Sequence, residues 1–157
     1  MRIAILLGAV LLLMIPMLAA PPAQSLQVHT DTGALVWCTA VRPHDTVQLQ
    51  FTHSMFGGYV REQWQVLPNG DLGRVRFVTE NAAAAEYYAT DGTSYKAGDG
   101  YVVPGEPLRQ PALVVRVNGR GDHYLTVGDT SVNLARLLPE STQVRIAVYP
   151  QPCDEAE

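Results

Sequence analysis

The stretch DTVQLQFTHSMFGGYVREQWQVL, residues 45–67, decides the fold. From 45 to 54 apolar and polar residues alternate, with Val47, Leu49 and Phe51 on one side and Thr46, Gln48, Gln50 and Thr52 on the other. Residues 59–67 repeat the pattern, with Val60, Trp64 and Val66 facing one way and Arg61, Gln63 and Gln65 the other. A period of two over this length reads as a strand. The link contains Gly57-Gly58, and adjacent glycines supply the two positive φ angles of a two-residue hairpin turn. The segment therefore predicts an antiparallel hairpin with one buried and one solvated face. A two-residue turn sets Met55 opposite Val60, His53 opposite Glu62, Phe51 opposite Trp64 and Leu49 opposite Val66.

His53 and Glu62 are the exceptions on those apolar faces. Directly opposed residues have Cβ atoms about 5 Å apart, so the two would bond each other naturally. One reading is a self-satisfied pair at the end of the core, since a buried carboxylate without a partner is costly. The other is a polar site in which His53 serves as acid, base or ligand, oriented by Glu62. Ser54 points to the opposite face in a regular strand, which sets it apart from a Ser/His/Glu triad built of neighbours.

Working outward, residues 26–29 and 34–37 flank the turn Thr30-Asp31-Thr32-Gly33. The turn Pro68-Asn69-Gly70-Asp71 leads into a strand over 74–79, with Val75 and Phe77 inward. Strands over 112–117 and 123–127 are joined through Asn118-Gly119-Arg120-Gly121, and a last strand over 143–149 ends at Pro150 and Pro152. Residues 132–138 read as a short strand or a helical turn. The irregular part is 81–105, where 82–85 can form one helical turn but the following glycines and Pro104 deny it a longer helix. Long irregular segments in compact domains are often functional. Within it, Tyr87 and Tyr88 either line a small-molecule cleft or anchor the loop. Short strands with one-sided faces and hairpin turns predict an all-β domain, an antiparallel sandwich or barrel-like fold, over residues 26–153, with a tail at 154–157.

Ahead of this domain, residues 3–20 are almost unbroken apolar, preceded by Arg2 and followed by Pro21-Pro22-Ala23-Gln24-Ser25. That order describes a secretory signal over residues 1–25. Ala23-Gln24-Ser25 fits small-x-small cleavage before Leu26, and Leu18-Ala19-Ala20 is a second exit. An uncleaved anchor is the alternative, because about 18 apolar residues can just span a bilayer. Either way the domain is expected outside the inner membrane, periplasmic or anchored facing the periplasm, touching the membrane only through this segment. Export permits a disulfide between Cys38 and Cys153; the alternative is two unpaired thiols. Their spacing matches no zinc motif, and no metal or cofactor is expected. A formal charge of −4 argues against a nucleic-acid partner, which needs a basic surface.

At His53, Ser54, Val60, Glu62 and Trp64 the chain resembles a family of uncharacterised small exported bacterial β domains, encoded beside TAXI-type tripartite (TRAP) solute transporters. Members carry a His-Ser pair at a strand end, a turn, and a Val-x-Glu-x-aromatic stretch. The opening hairpin from Leu26, the Leu113-Val-Val-Arg-Val117 strand and the Val144-Arg-Ile-Ala-Val148 strand are similar too. Here the turn is Phe56-Gly57-Gly58-Tyr59, where relatives tend to carry charge and proline, and a glycine-rich stretch of the relatives stands as 82–85. The resemblance implies a periplasmic accessory or binding domain of a TRAP/TAXI uptake system, whose partner is a small solute or a transporter component. Its binding residues would come from His53, Ser54, Glu62, Tyr87 and Tyr88. Two further readings stand beside it: a small exported hydrolase using His53 and Glu62, and a purely structural envelope protein.

Overall fold

A computed structural model describes residues 23–89, 93–105, 108–118, 122–139 and 141–155. The strands are β1 (Gln24–Thr30), β2 (Leu35–Val41), β3 (Thr46–Thr52), β4 (Tyr59–Val66), β5 (Leu72–Thr79), β6 (Tyr95–Ala97), β7 (Gly100–Pro104), β8 (Arg109–Gln110), β9 (Leu113–Val117), β10 (Tyr124–Val127), β11 (Thr130–Asn133) and β12 (Thr142–Tyr149). Two short helices, α1 (Ala82–Tyr88) and α2 (Leu134–Leu137), and a 3-10 turn at Cys153–Glu155 complete the described chain. One sheet has the order β2-β1-β12-β9; the other runs β11-β10-β3-β4-β5-β7-β6, with β8 also on β5. Every pairing is antiparallel. The two sheets pack together as an all-β sandwich without closing into a barrel.

Alternation explains the packing. Leu26, Val28, Val144 and Ile146 from the first sheet meet Val47, Trp64, Val66, Leu72 and Leu125 from the second in one core cluster. A smaller cluster of Val60, Phe77, Ala85 and Val103 lies beneath α1. Small residues let α1 sit close: Ala84 and Ala85 are fully buried. Its N-cap is Asn81, whose side-chain oxygen accepts from the Ala83 and Ala84 amides. The irregular segment is thus more ordered than its glycines suggest, because Gly98 (φ +61°) serves the turn of a β6–β7 hairpin.

Three expectations need correction. The β3–β4 register differs: Leu49 faces Glu62, Val47 faces Trp64, and the strands part after Thr52–Tyr59. Residues 53–58 form a longer loop because the His53 ring takes part in it. Its Nδ1 accepts from the Met55 and Phe56 amides at 3.1 and 3.2 Å, and the Gly57 amide donates to the His53 carbonyl at 3.0 Å. A side chain that satisfies nearby backbone donors competes with the tight turn. His53 and Glu62 are therefore not cross-strand partners. Second, β5 carries an irregularity opposite Gln63 and Trp64, with Arg76 facing Gln63 and Arg74 facing Trp64. Val75 is the extra residue; it is 48% exposed, whereas Phe77 is inward. Third, β1 begins at Gln24, so the fold takes in two residues before Leu26. Ser25 is fully buried, donates to the Gln151 carbonyl at 2.7 Å and accepts from Gln27 at 2.9 Å.

The apolar run at 3–20 with its flanks Arg2, Pro21 and Pro22, most of the 118–121 turn, and the last two residues of the expected tail lie outside the described residues. Among the described residues, no helix is long and apolar enough to cross a membrane. Cys38 and Cys153 form a disulfide, with Cα atoms 5.7 Å apart and a sequence separation of 115. The bridge ties β2, one edge of its sheet, to the turn that follows β12.

Candidate functional site

Along the inner face of β4, Val60 belongs to the cluster under α1, and Trp64 and Val66 belong to the inter-sheet core. Glu62 falls between the two. There a cavity of about 370 Å³ opens, floored by β3, β4 and β5 and walled by β9 and by Tyr88 of α1. Its size lies within the usual range for small-molecule sites. Among the described residues, β9 is the edge strand of its sheet.

Four of the five residues chosen from sequence line this cavity: His53, Ser54, Glu62 and Tyr88. They arrive there by a different route from the one expected. His53, buried at 8% exposure, sits in the loop after β3 and makes a ring contact with Phe56 and an edge contact with Tyr88. Ser54 follows in the same loop, so strand alternation no longer turns it away. Tyr88 stacks on Phe77 with centroids 4.2 Å apart. Tyr87 does not line the cavity; it is 66% exposed and packs its ring near Phe56 and Tyr88. Asn81 joins these pieces, since its amide donates to the Phe56 carbonyl at 2.9 Å while its oxygen caps α1. Helix and loop thus hold each other in place.

The structure adds Arg74, Arg116 and His123 to the lining. Arg74 was hidden by the bulge. Leu72 and Phe77 stand an odd number of residues apart, and both are fully buried. A regular strand cannot turn both inward, and that conflict is the one signal in the sequence that β5 is irregular. Once Val75 is bulged out, Arg74 shares a face with Glu62. His123 is buried and stacks on Phe51. Among the described residues no cluster of three or more His, Cys, Asp or Glu is placed to hold a metal.

The electrostatics follow from burial. Desolvation holds the Glu62 carboxyl above its ordinary value of 4.5; a hydrogen bond from Trp64 and the charge of Arg74 oppose the rise. That bond, from Trp64 Nε1 to Glu62 Oε2 at 3.2 Å, is the one made to Glu62 among the described residues. Tyr88 is likewise pushed up, first by burial and then by the Glu62 and Tyr87 charges, with Arg74 opposing, so its hydroxyl stays a neutral donor. The Arg74 Nε is buried without a hydrogen-bond partner. His53 is committed at Nδ1 as acceptor for two amides, which places the proton of the neutral ring on Nε2. The ring is therefore a fixed hydrogen-bond donor. For a neutral ring to accept a hydrogen bond at Nε2, its proton would have to move to Nδ1, and both loop bonds would be given up.

These shifts predict how stability depends on pH. The unfolded chain releases the Glu62 proton at lower pH than the folded chain does. Stability should therefore fall as pH rises from the ordinary glutamate range through the raised folded value, and level off above it. Glu62→Gln keeps an acceptor for Trp64, removes the buried charge and should flatten this profile. It should stabilise the domain more at neutral pH than at pH 4, read by urea denaturation between pH 4 and 8. An unchanged profile would show that Glu62 is not the group being desolvated.

Comparison of the chain with models of protein families, with curated proteins and with solved structures finds no match.

Proposed function

We propose that this chain is a solute-binding accessory domain of the cell envelope, serving a TRAP/TAXI-type uptake system. The carrying observation is the cavity between the two core clusters, which draws a carboxylate, a guanidinium with an unpartnered nitrogen and an imidazole donor onto one small space of mixed polar and apolar lining. Groups held so have hydrogen-bonding capacity left for a ligand. The Cys38–Cys153 bridge and the apolar N-terminal run with its leading Arg2 support an envelope location. The transporter association rests on the resemblance at His53, Ser54, Val60, Glu62 and Trp64. The hydrolase reading depends on Glu62 orienting His53, and that pairing is not made.

Thermal-shift screening of the oxidised domain against a metabolite panel tests the proposal. A true ligand at a hundredfold excess over its Kd stabilises by about 2.7 kcal/mol, a shift of several degrees. Arg74→Met should abolish that shift. If no solute in a broad panel moves the wild-type melting temperature, the solute-binding reading is lost. Deleting the gene in its host and measuring solute uptake tests the association separately; unchanged uptake would remove it.

A further inference from the structure

Resting on the solute-binding reading, we infer that the ligand is a small zwitterion, whose carboxylate is taken by Arg74 and whose ammonium is taken by Glu62. The two residues share the inner face of the larger sheet. Arg74 faces Trp64 across the ladder, and Glu62 lies two residues from Trp64 on the same strand. Such diagonal neighbours have Cα atoms about 7–8 Å apart. Each keeps bonding capacity. Arg74 has a buried Nε–H with no partner, and Trp64 engages only one oxygen of Glu62. A ligand carrying adjacent charges of opposite sign would satisfy both at once.

A simple anion would serve Arg74 and leave the carboxylate facing a second negative group. A simple cation would serve Glu62 and leave the buried guanidinium nitrogen unsatisfied. An uncharged solute would offer the Arg74 Nε–H and the second Glu62 oxygen only neutral hydrogen bonds, which are weaker than charge-assisted ones. An α-amino acid, with amine and carboxylate on one carbon, has the compact charge separation this diagonal asks for. The His53 donor, Ser54 and Tyr88 also line the cavity and would read its side chain, which favours a polar one.

Isothermal titration on the oxidised wild-type domain tests this, using L-α-amino acids, the matched α-hydroxy acids, the matched des-amino acids and the matched amines. Loss of one charge-assisted contact should weaken binding about 10- to 100-fold, so an amino acid should lead its des-amino partner by that factor. Arg74→Met should lower affinity for the amino acid and the des-amino acid alike. Glu62→Gln should erase most of the advantage of the amino acid and leave the des-amino acid bound at least as tightly as by the parent. Near-UV circular dichroism establishes that each variant is folded, and the conservative Arg74→Lys should recover part of the loss. A bound solute with no preference for the amino group, or an amino acid bound equally by both variants, overturns this inference and leaves solute binding standing. Absence of binding by any solute removes the solute-binding reading itself.

Discussion

Removing the Cys38–Cys153 bridge is expected to cost the domain about 4–5 kcal/mol, a large part of the 5–15 kcal/mol by which such domains are stable. The size of the effect follows from chain closure. The cysteines are 115 residues apart in sequence, so the bridge closes a long loop and restricts most of the unfolded chain. In the folded state it fastens the turn after the last strand to an edge of the sheet that also holds the first strand. Cys38→Ser with Cys153→Ser, compared with the oxidised parent by calorimetry, should lower the melting temperature by on the order of 10–20 °C. Reductant should do the same to the parent and nothing to the double variant. Ligand affinity should survive wherever the protein remains folded, because β2 and β9 are opposite edges of that sheet and the cavity lies beside β9. A loss below about 1 kcal/mol would overturn the closure account.

Among the described glycines, Gly105 is the one where an added methyl is expected to do the most damage. A Cβ at this position would run into the carbonyl oxygens of Arg74 and Val75, which are backbone atoms and cannot swing aside. The same contact closes the bulge: the Gly105 amide donates to the Val75 carbonyl at 2.7 Å, and the Arg74 amide donates to the Leu108 carbonyl at 3.0 Å. Overpacking against main chain should cost about 2–4 kcal/mol in urea denaturation. It should also weaken ligand binding, because the bulge is what turns Arg74 toward Glu62. Gly98→Ala is the control. It has positive φ but open space around it, so it should cost about 1–2 kcal/mol and leave affinity alone. Equal stability of Gly105→Ala and the parent would show that the bulge does not depend on this close approach.

Four of the candidate residues named from sequence line the cavity, though the pairing expected of two of them is not made. His53 and Glu62 stood out because they interrupt apolar faces, and both do line the cavity. The inferred partnership failed because a shift by an even number of residues leaves every side chain on its expected face. Leu49 opposite Val66 and Leu49 opposite Glu62 are equally compatible with the alternation, and the pattern cannot choose between them. The choice was made by the His53 ring, which gathers the Met55 and Phe56 amides and lengthens the loop. Tyr88 reaches the cavity and Tyr87 does not, because successive residues of α1 point in different directions around the helix. Arg74 went unseen because a bulge is a local exception to period two, and only the odd spacing of Leu72 and Phe77 hints at it.

The sequence by itself determined the all-β class, the two faces of the principal hairpin and the positions where glycine must turn the chain. These are local properties: alternation acts over neighbouring residues, and positive φ at Gly57 and Gly58 is a demand on single residues. Tertiary structure alone decided the register of β3 on β4, the pairing of Cys38 with Cys153, the inward turn of Arg74 and the existence of the cavity. Each depends on contacts between segments distant in the chain. The cavity exists because α1 covers one end of the larger sheet and the smaller sheet covers the other, leaving Glu62 in the gap between them.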